Sequence, residues 1–529
     1  MCHARVVIDV ILASSLVLLL GGCGGGGDGG PAVGSSPQAG VSCAALAGMT
    51  FGDARVTSAS FQSTSSSSAP VSYCDVRAQV GSQLLFALRL PVSWSGRYLH
   101  IGGGNYDGVI PNLDADFHGA STALARGYAV GGSNGGHIGN PATFGGPGYD
   151  ASFGMNNPDA RIDYAWRAIG KMDVPAKAII AAYYARPIQR SYFSGCSTGG
   201  REAIAAAIHY PDQYDGVISG APSINSAGSA ASRITINNFV QRPGYALSPA
   251  DVALLEAVTV GACDADDGLV DGIVSHPAAC KFDPASLLCG ASGGACLSQA
   301  QVESVRLIRG GTRLSDGTLI YAGFGIGAES KAPDGLVLHI FDGRPNLPAP
   351  ANFLLVDALL QNFVYNDPAY RSTSFVLDRD YPAVLAAQLD NGMQVQPEGL
   401  KAFLEAGKKF LLWHGESDYS TSKNESVRFF QDLTRLYGAD STARGARLHV
   451  LPGVQHCGSN SVNAETFDKV AALAEWVENG RLPETHATRV TFSATTPPIT
   501  RPLCAYPTFP RYNGSGAPDR ADSFTCAAP

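Results

Sequence analysis

Between Ser191 and Glu202 the chain reads Ser-Tyr-Phe-Ser-Gly-Cys-Ser-Thr-Gly-Gly-Arg-Glu. A β-rich run from Ser191 to Ser194 meets a turn of small residues, and an Ala-rich stretch then predicts a helix from near Gly199 to His209. The turn spells Gly-x-Ser-x-Gly. Small residues on either side let the backbone turn tightly enough to lift a serine hydroxyl above a sheet. Ser197 is thus a candidate nucleophile. A chain with 62 Gly makes such patterns by chance, and Gly131-Gly132-Ser133-Asn134-Gly135 comes close to one. What separates Ser197 is the strand before it and the helix after it.

A serine nucleophile needs a base, and the base needs an acid to orient it. The run Lys409-Phe410-Leu411-Leu412-Trp413 predicts a buried strand and leads into His414-Gly415-Glu416-Ser417-Asp418, which puts Asp418 at the strand's carboxyl end. Arg447 to Leu451 predicts another strand, followed by Pro452-Gly453-Val454-Gln455-His456-Cys457-Gly458. The order nucleophile, acid, base is that of α/β-hydrolases. Ser197, Asp418 and His456 are therefore the expected triad. His414 is a rival base, but it shares a turn with Asp418 and is better placed as a structural or pocket-wall residue. Asp418 alone also reads as a cap after a strand. Cys196 precedes the candidate nucleophile and Cys457 follows the candidate base. A hydrogen bond between Ser197 and His456 would bring these cysteines within disulfide reach, the alternative being that both pair elsewhere.

Leu84 to Leu90 and Tyr98 to Ile101 predict strands, the second running into Gly102-Gly103-Gly104-Asn105. A glycine-rich turn there lets backbone N–H groups approach an oxyanion, so the N–H groups of Gly103 and Thr198 are the expected oxyanion hole. Tyr128 to Val130 predicts a further strand, Ala160 to Tyr184 a long amphipathic helix, and Cys43 to Ser82 a Ser- and Ala-rich wrap along the sheet edge. After Pro222 the alternation of strand and helix lapses. The expected organisation is an α/β-hydrolase fold in two parts, 43–222 and 400–529, with a large inserted lid domain at 223–399.

His3 and Arg5, the apolar run Val10 to Leu20 and then Leu20-Gly21-Gly22-Cys23 predict a signal peptide over 1–23. It resembles a lipoprotein signal, in which Cys23 would be lipidated, and an ordinary cleaved secretory signal is the alternative. A Gly/Ser-rich linker follows at 24–42. Export, to an outer-membrane-anchored, periplasmic or extracellular location in a bacterium, fits the ten remaining Cys, an even set with no CxxC pair to suggest zinc. A formal net charge of -8 argues against a nucleic-acid partner.

Gly195-Cys196-Ser197-Thr198-Gly199-Gly200-Arg201-Glu202, His414 to Asp418, Gln455-His456-Cys457 and the tail Arg501-Pro502-Leu503-Cys504-Ala505-Tyr506-Pro507 together resemble the tannase and feruloyl esterase family. That family includes fungal tannases, feruloyl esterases and a mono(2-hydroxyethyl) terephthalate hydrolase. The resemblance implies a structural calcium ion, and Cys263-Asp264-Ala265-Asp266-Asp267-Gly268-Leu269-Val270-Asp271-Gly272-Ile273 supplies suitable oxygens: the carboxylates of Asp264, Asp267 and Asp271 with the carbonyls of Leu269 and Ile273. Asp266 is left over for solvent. An EF-hand fits poorly, because its twelfth position would be Ser275. The resemblance also implies five disulfides: Cys43 with Cys74, Cys196 with Cys457, Cys263 with Cys280, Cys289 with Cys296, and Cys504 with Cys526.

The expected activity is that of a serine carboxylesterase on esters of aromatic acids, feruloyl, hydroxycinnamoyl or galloyl. Phe341, Phe353, Leu354, Leu355 and Phe363 are candidate acyl-pocket residues, equally readable as lid core. Terephthalate monoester hydrolases resemble this chain but carry an arginine just ahead of a Leu-Val-Asp. Here Asn352-Phe353-Leu354 precedes Leu355-Val356-Asp357, which favours a neutral acyl group. The alternatives are a terephthalate monoester hydrolase and a catalytically silent surface binding protein.

Overall fold

The computed structural model describes residues 40–64, 71–113, 120–290, 294–331, 334–341, 348–458, 467–490 and 499–529. The expected leader and its Cys23 lie outside them. Strands β1 (Thr50–Phe51), β2 (Ala54–Thr64), β3 (Val71–Val80), β4 (Leu84–Pro91), β5 (Arg97–Ile101), β6 (Ala129–Ser133), β7 (Arg190–Cys196) and β8 (Gly216–Gly220) come from the first part of the chain. β9 (Thr312–Arg313) and β10 (Leu319–Tyr321) form a separate antiparallel pair, and β11 (Lys409–Gly415) and β12 (Ala446–Leu451) follow. The main sheet has ten strands in the order β1-β2-β3-β4-β6-β5-β7-β8-β11-β12. From β6 to β12 its neighbours run parallel. β6 and β8 are buried along their whole length, as parallel strands covered on both faces must be.

Every predicted core strand is present. The wrap expected over Cys43 to Ser82 is instead the antiparallel edge of this sheet: β2 pairs with β3 from Ala54 opposite Val80 to Thr64 opposite Val71. Cys74, Val76 and Ala78 alternate inward along β3 with Asp75 and Arg77 between them, a period of two that composition alone does not show.

The predicted helix over Ala160 to Tyr184 exists as Pro158–Ile162, a π-helical turn at Asp163–Arg167, and Ala168–Tyr184. A π turn frees backbone carbonyls. Those of Tyr164 and Ala165 accept from the Arg201 guanidinium, at 3.3 and 2.6 Å. The described residues of the 223–399 stretch add no strand to the main sheet. Its helices include Ser226–Val240, Pro249–Cys263, Gln299–Gly310, Ala351–Leu359 and Leu377–Asp390. Ala227, Ala230, Ala231 and Ile234 of the first pack with Val356, Leu359, Phe363 and Met393 in one apolar cluster. No helix among the described residues is long and apolar enough to cross a membrane.

Candidate active site

Ser197 directly follows β7 and has φ 62° and ψ -122°, a strained conformation for a residue with a Cβ. The turn tolerates no bulk beside it: a Cβ on Gly195 would lie 2.3 Å from the Gly199 carbonyl oxygen. Helix Thr198–His209 begins at once. Asp418 follows β11 and His456 follows β12, so all three residues stand at the carboxyl ends of parallel strands, where the crevices of open α/β sheets lie.

His456 Nδ1 lies 2.7 Å from Asp418 Oδ2. Asp418 Oδ1 accepts from the backbone N–H groups of Ser420 and Thr421, both at 2.8 Å, and Thr421 Oγ1 donates to Oδ2 at 3.1 Å. Burial alone would raise the Asp418 carboxyl. The charge of His456 and hydrogen bonds from His414 and His456 outweigh it and hold the carboxyl well below the usual range. Burial would likewise lower His456, but attraction and hydrogen bonding to Asp418 hold it above its ordinary 6.5. His414 is fully buried, with Nδ1 2.8 Å from Ser426 Oγ and Nε2 3.1 Å from Asp418 Oδ2. It buttresses the acid. Cys196 and Cys457 form a disulfide with Cα atoms 5.8 Å apart, which ties the residue before Ser197 to the residue after His456 across 261 positions.

Gly103 departs from its expected role. Its N–H donates to Glu202 Oε2 at 2.9 Å, so that hydrogen is not free for an oxyanion. The adjacent Gly104 is exposed; its N–H has no backbone partner among the described residues and faces the Asp107 carboxyl. Thr198, at the first position of its helix, keeps a free N–H as helix geometry requires. Asp107 is buried beside Gly103, with the Glu202 carboxyl and the Gly104 N–H facing its oxygens. Burial pushes the Asp107 carboxyl well above its usual range, and the neighbouring Glu202 charge adds to this.

A cavity of about 70 Å³ opens beside Ser197, lined among others by Tyr106, Tyr164, Arg233, Leu355 and Leu359. Of the five residues expected in the acyl pocket only Leu355 lines it. Phe363 is packed in the apolar cluster beneath, and Phe341 and Phe353 line other, smaller cavities. Tyr106, Tyr164 and Arg233 escaped the sequence reading. Nothing in the order of residues shows that a loop after β5, a π turn and the helix Ser226–Val240 meet at one place.

The family model for tannase and feruloyl esterase matches residues 69–527. The chain belongs to this family. As a tannase/feruloyl esterase-type protein it is a carboxylic ester hydrolase with an α/β-hydrolase-type fold. It is 30% identical to the mono(2-hydroxyethyl) terephthalate hydrolase of Piscinibacter sakaiensis, over 88% of this chain and 86% of that protein. It is 32% identical to a probable feruloyl esterase B-2 of Aspergillus flavus, over 75% of each. Feruloyl esterase B from Aspergillus oryzae superposes with a TM-score of 0.78 at 21% identity, covering 90% of this chain and 98% of that one.

In this esterase all five expected cysteine pairs are disulfides, with Cα separations from 4.8 to 5.8 Å. Such a set belongs to an oxidising compartment. The acidic loop holds Asp264 and Asp267 buried and leaves Asp266 exposed. Asp264 accepts from Gly272 N at 2.8 Å, and Asp271 pairs with Arg501. No three such side chains among the described residues are already gathered as a metal cluster. The donor set nevertheless suits a hard cation: Asp267 Oδ2 is buried without a donor, and burial, reinforced by Asp264, raises the Asp267 carboxyl.

Proposed function

We propose that the protein is a serine carboxylesterase that cleaves esters of aromatic acids through an acyl-enzyme on Ser197. The observation that carries this is the contact of 2.7 Å between His456 Nδ1 and Asp418 Oδ2, clamped beside the strained Ser197 by the disulfide of their neighbours. In this mechanism Ser197 Oγ attacks the ester carbonyl while His456 Nε2 takes its proton. Asp418 keeps the Nδ1–H tautomer and stabilises the imidazolium. The N–H groups of Thr198 and Gly104 receive the oxyanion. His456 returns the proton to the departing alcohol, and water, activated by the same imidazole, releases the acid. Tyr106, Tyr164, Leu355 and Leu359 offer flat apolar surface to an aromatic acyl group. Hydroxycinnamoyl, galloyl and terephthaloyl esters all have such a group.

The same reading makes 223–399 a lid over the site. It also gives the acidic loop a structural calcium ion, held by Asp264, Asp267 and Asp271 with the carbonyls of Leu269 and Ile273, and makes the leader an export signal with Cys23 as a lipid anchor. The test of the activity is turnover of methyl ferulate, methyl gallate and mono(2-hydroxyethyl) terephthalate by the protein and by its Ser197→Ala variant. Serine-dependent cleavage of any of the three is expected. Cleavage that survives in folded Ser197→Ala would remove Ser197 from the mechanism.

A further inference from the structure

Arg233 projects from helix Ser226–Val240 and lines the same cavity as Ser197. Its Nη2 donates to the Ser420 carbonyl, while its Nε is buried with no hydrogen-bond partner. No carboxylate pairs with it among the described residues. Arg201, the other guanidinium on the cavity wall, differs: both its Nη atoms are committed to the carbonyls of Ala165 and Tyr164. A permanent cation with idle donors among Tyr106, Ala230, Leu355 and Leu359 is unfavourable until an anion meets it. The guanidinium's planar fork matches the two oxygens of a carboxylate better than a single phenolic hydroxyl.

The cavity beside Ser197 is walled by Tyr106, Tyr164, Leu355 and Leu359, and Arg233 stands on the same lining. An aromatic acyl group held on Ser197 and seated against these side chains would present its far end to Arg233. We infer that Arg233 is the anion-recognising residue of the acyl pocket, and that the preferred substrate is an ester whose aromatic acyl group carries a second, free carboxylate. This rests on the esterase reading above and narrows its substrate. It also reverses the neutral acyl group expected from Asn352-Phe353-Leu354, because the guanidinium arrives from the 226–240 helix. The charge of Arg233 opposes protonation of His456. A substrate carboxylate on Arg233 would relieve that opposition as the imidazolium forms.

The experiment compares kcat and KM on monomethyl terephthalate and on methyl 4-carbamoylbenzoate, its neutral isostere, for the full chain and for Arg233→Gln and Arg233→Lys. The full chain is expected to favour the anionic ester on the order of ten- to a hundredfold in kcat/KM, chiefly through KM, the range of a charge-assisted hydrogen bond. Arg233→Gln should lose most of that ratio, and Arg233→Lys should keep part of it. Competitive inhibition of the unaltered protein by terephthalate, well below the concentration needed with benzoate, is the readout that needs no variant. Equal use of both esters, or a preference that survives Arg233→Gln, would overturn the role of Arg233 and leave the aromatic esterase standing. Failure to cleave either of them or any ester of the wider panel would overturn both readings.

Discussion

Gly103 donates its N–H to the Glu202 carboxylate at 2.9 Å, which anchors the turn after β5 to the first turns of the helix that follows Ser197. A Cβ on Gly103 would lie 1.9 Å from Asp107 Oδ1. The two carboxyl groups and the glycine therefore form one buried unit beside the oxyanion position.

Glu202→Ala is expected to lower kcat by about ten- to a hundredfold, with a smaller change in KM, because the turn that presents the oxyanion donor loses its tether. Glu202→Gln, which keeps an acceptor oxygen, should recover part of the loss. Steady-state kinetics on one aromatic ester checks both.

Asp107 sets a pH term in stability. Burial and the Glu202 charge hold its folded carboxyl well above the ordinary 3.8, so the folded chain binds more protons than the unfolded chain between the two values. Stability should fall as pH rises from about 4 towards the folded value. Asp107→Asn should flatten this part of the curve, as read by denaturant midpoints across pH.

The His456–Asp418 pair has the opposite arithmetic. Asp418 is depressed, so its contribution is present above its unfolded value and lost as pH falls through the folded one. His456 is raised, so its share is complete below 6.5 and lost as pH rises through its folded value. In catalysis the neutral imidazole is the active form. The acid limb of kcat/KM should therefore lie above 6.5 in the free enzyme. His414→Ala, which removes the second imidazole from Asp418, should lower kcat roughly tenfold and shift that limb.

Chelation tests the acidic loop. EDTA is expected to lower Tm by several degrees in calorimetry, with calcium restoring it, because an ion bound only by the folded chain stabilises that state. A variant with Asp264→Ala and Asp267→Ala should start at the lower Tm and ignore EDTA.

Cys196→Ala with Cys457→Ala opens a loop of 261 residues, for which the chain-entropy model gives a ceiling of about 5.6 kcal/mol. Cys289→Ala with Cys296→Ala opens only seven, worth about 2 kcal/mol. The first pair should cost more stability and also most of the turnover. The second should affect melting alone.

The triad segments and the strands were legible because each rests on local pattern: an apolar run, a small turn and a polar residue at a strand's end. The Cys196–Cys457 link was legible because it follows from two neighbours of one contact. The antiparallel edge was not, since the Ser and Thr of β2 carry little periodic signal. The insertion's helices had local signs that went unread, namely capping boxes at Ser248 with Asp251 and at Ser298 with Gln301. Arg233 was illegible for another reason. Its meaning depends on which element packs over Ser197, and only tertiary structure shows that.

The clamp at Cys196 and Cys457 also bears on timing. While both remain thiols, no covalent bond joins the residue before Ser197 to the one after His456, and only the shared sheet holds the two segments in register. In an oxidising compartment the bond would close and fix the spacing of the two catalytic loops, so turnover assayed with and without a thiol reductant would show how far activity depends on where the chain resides.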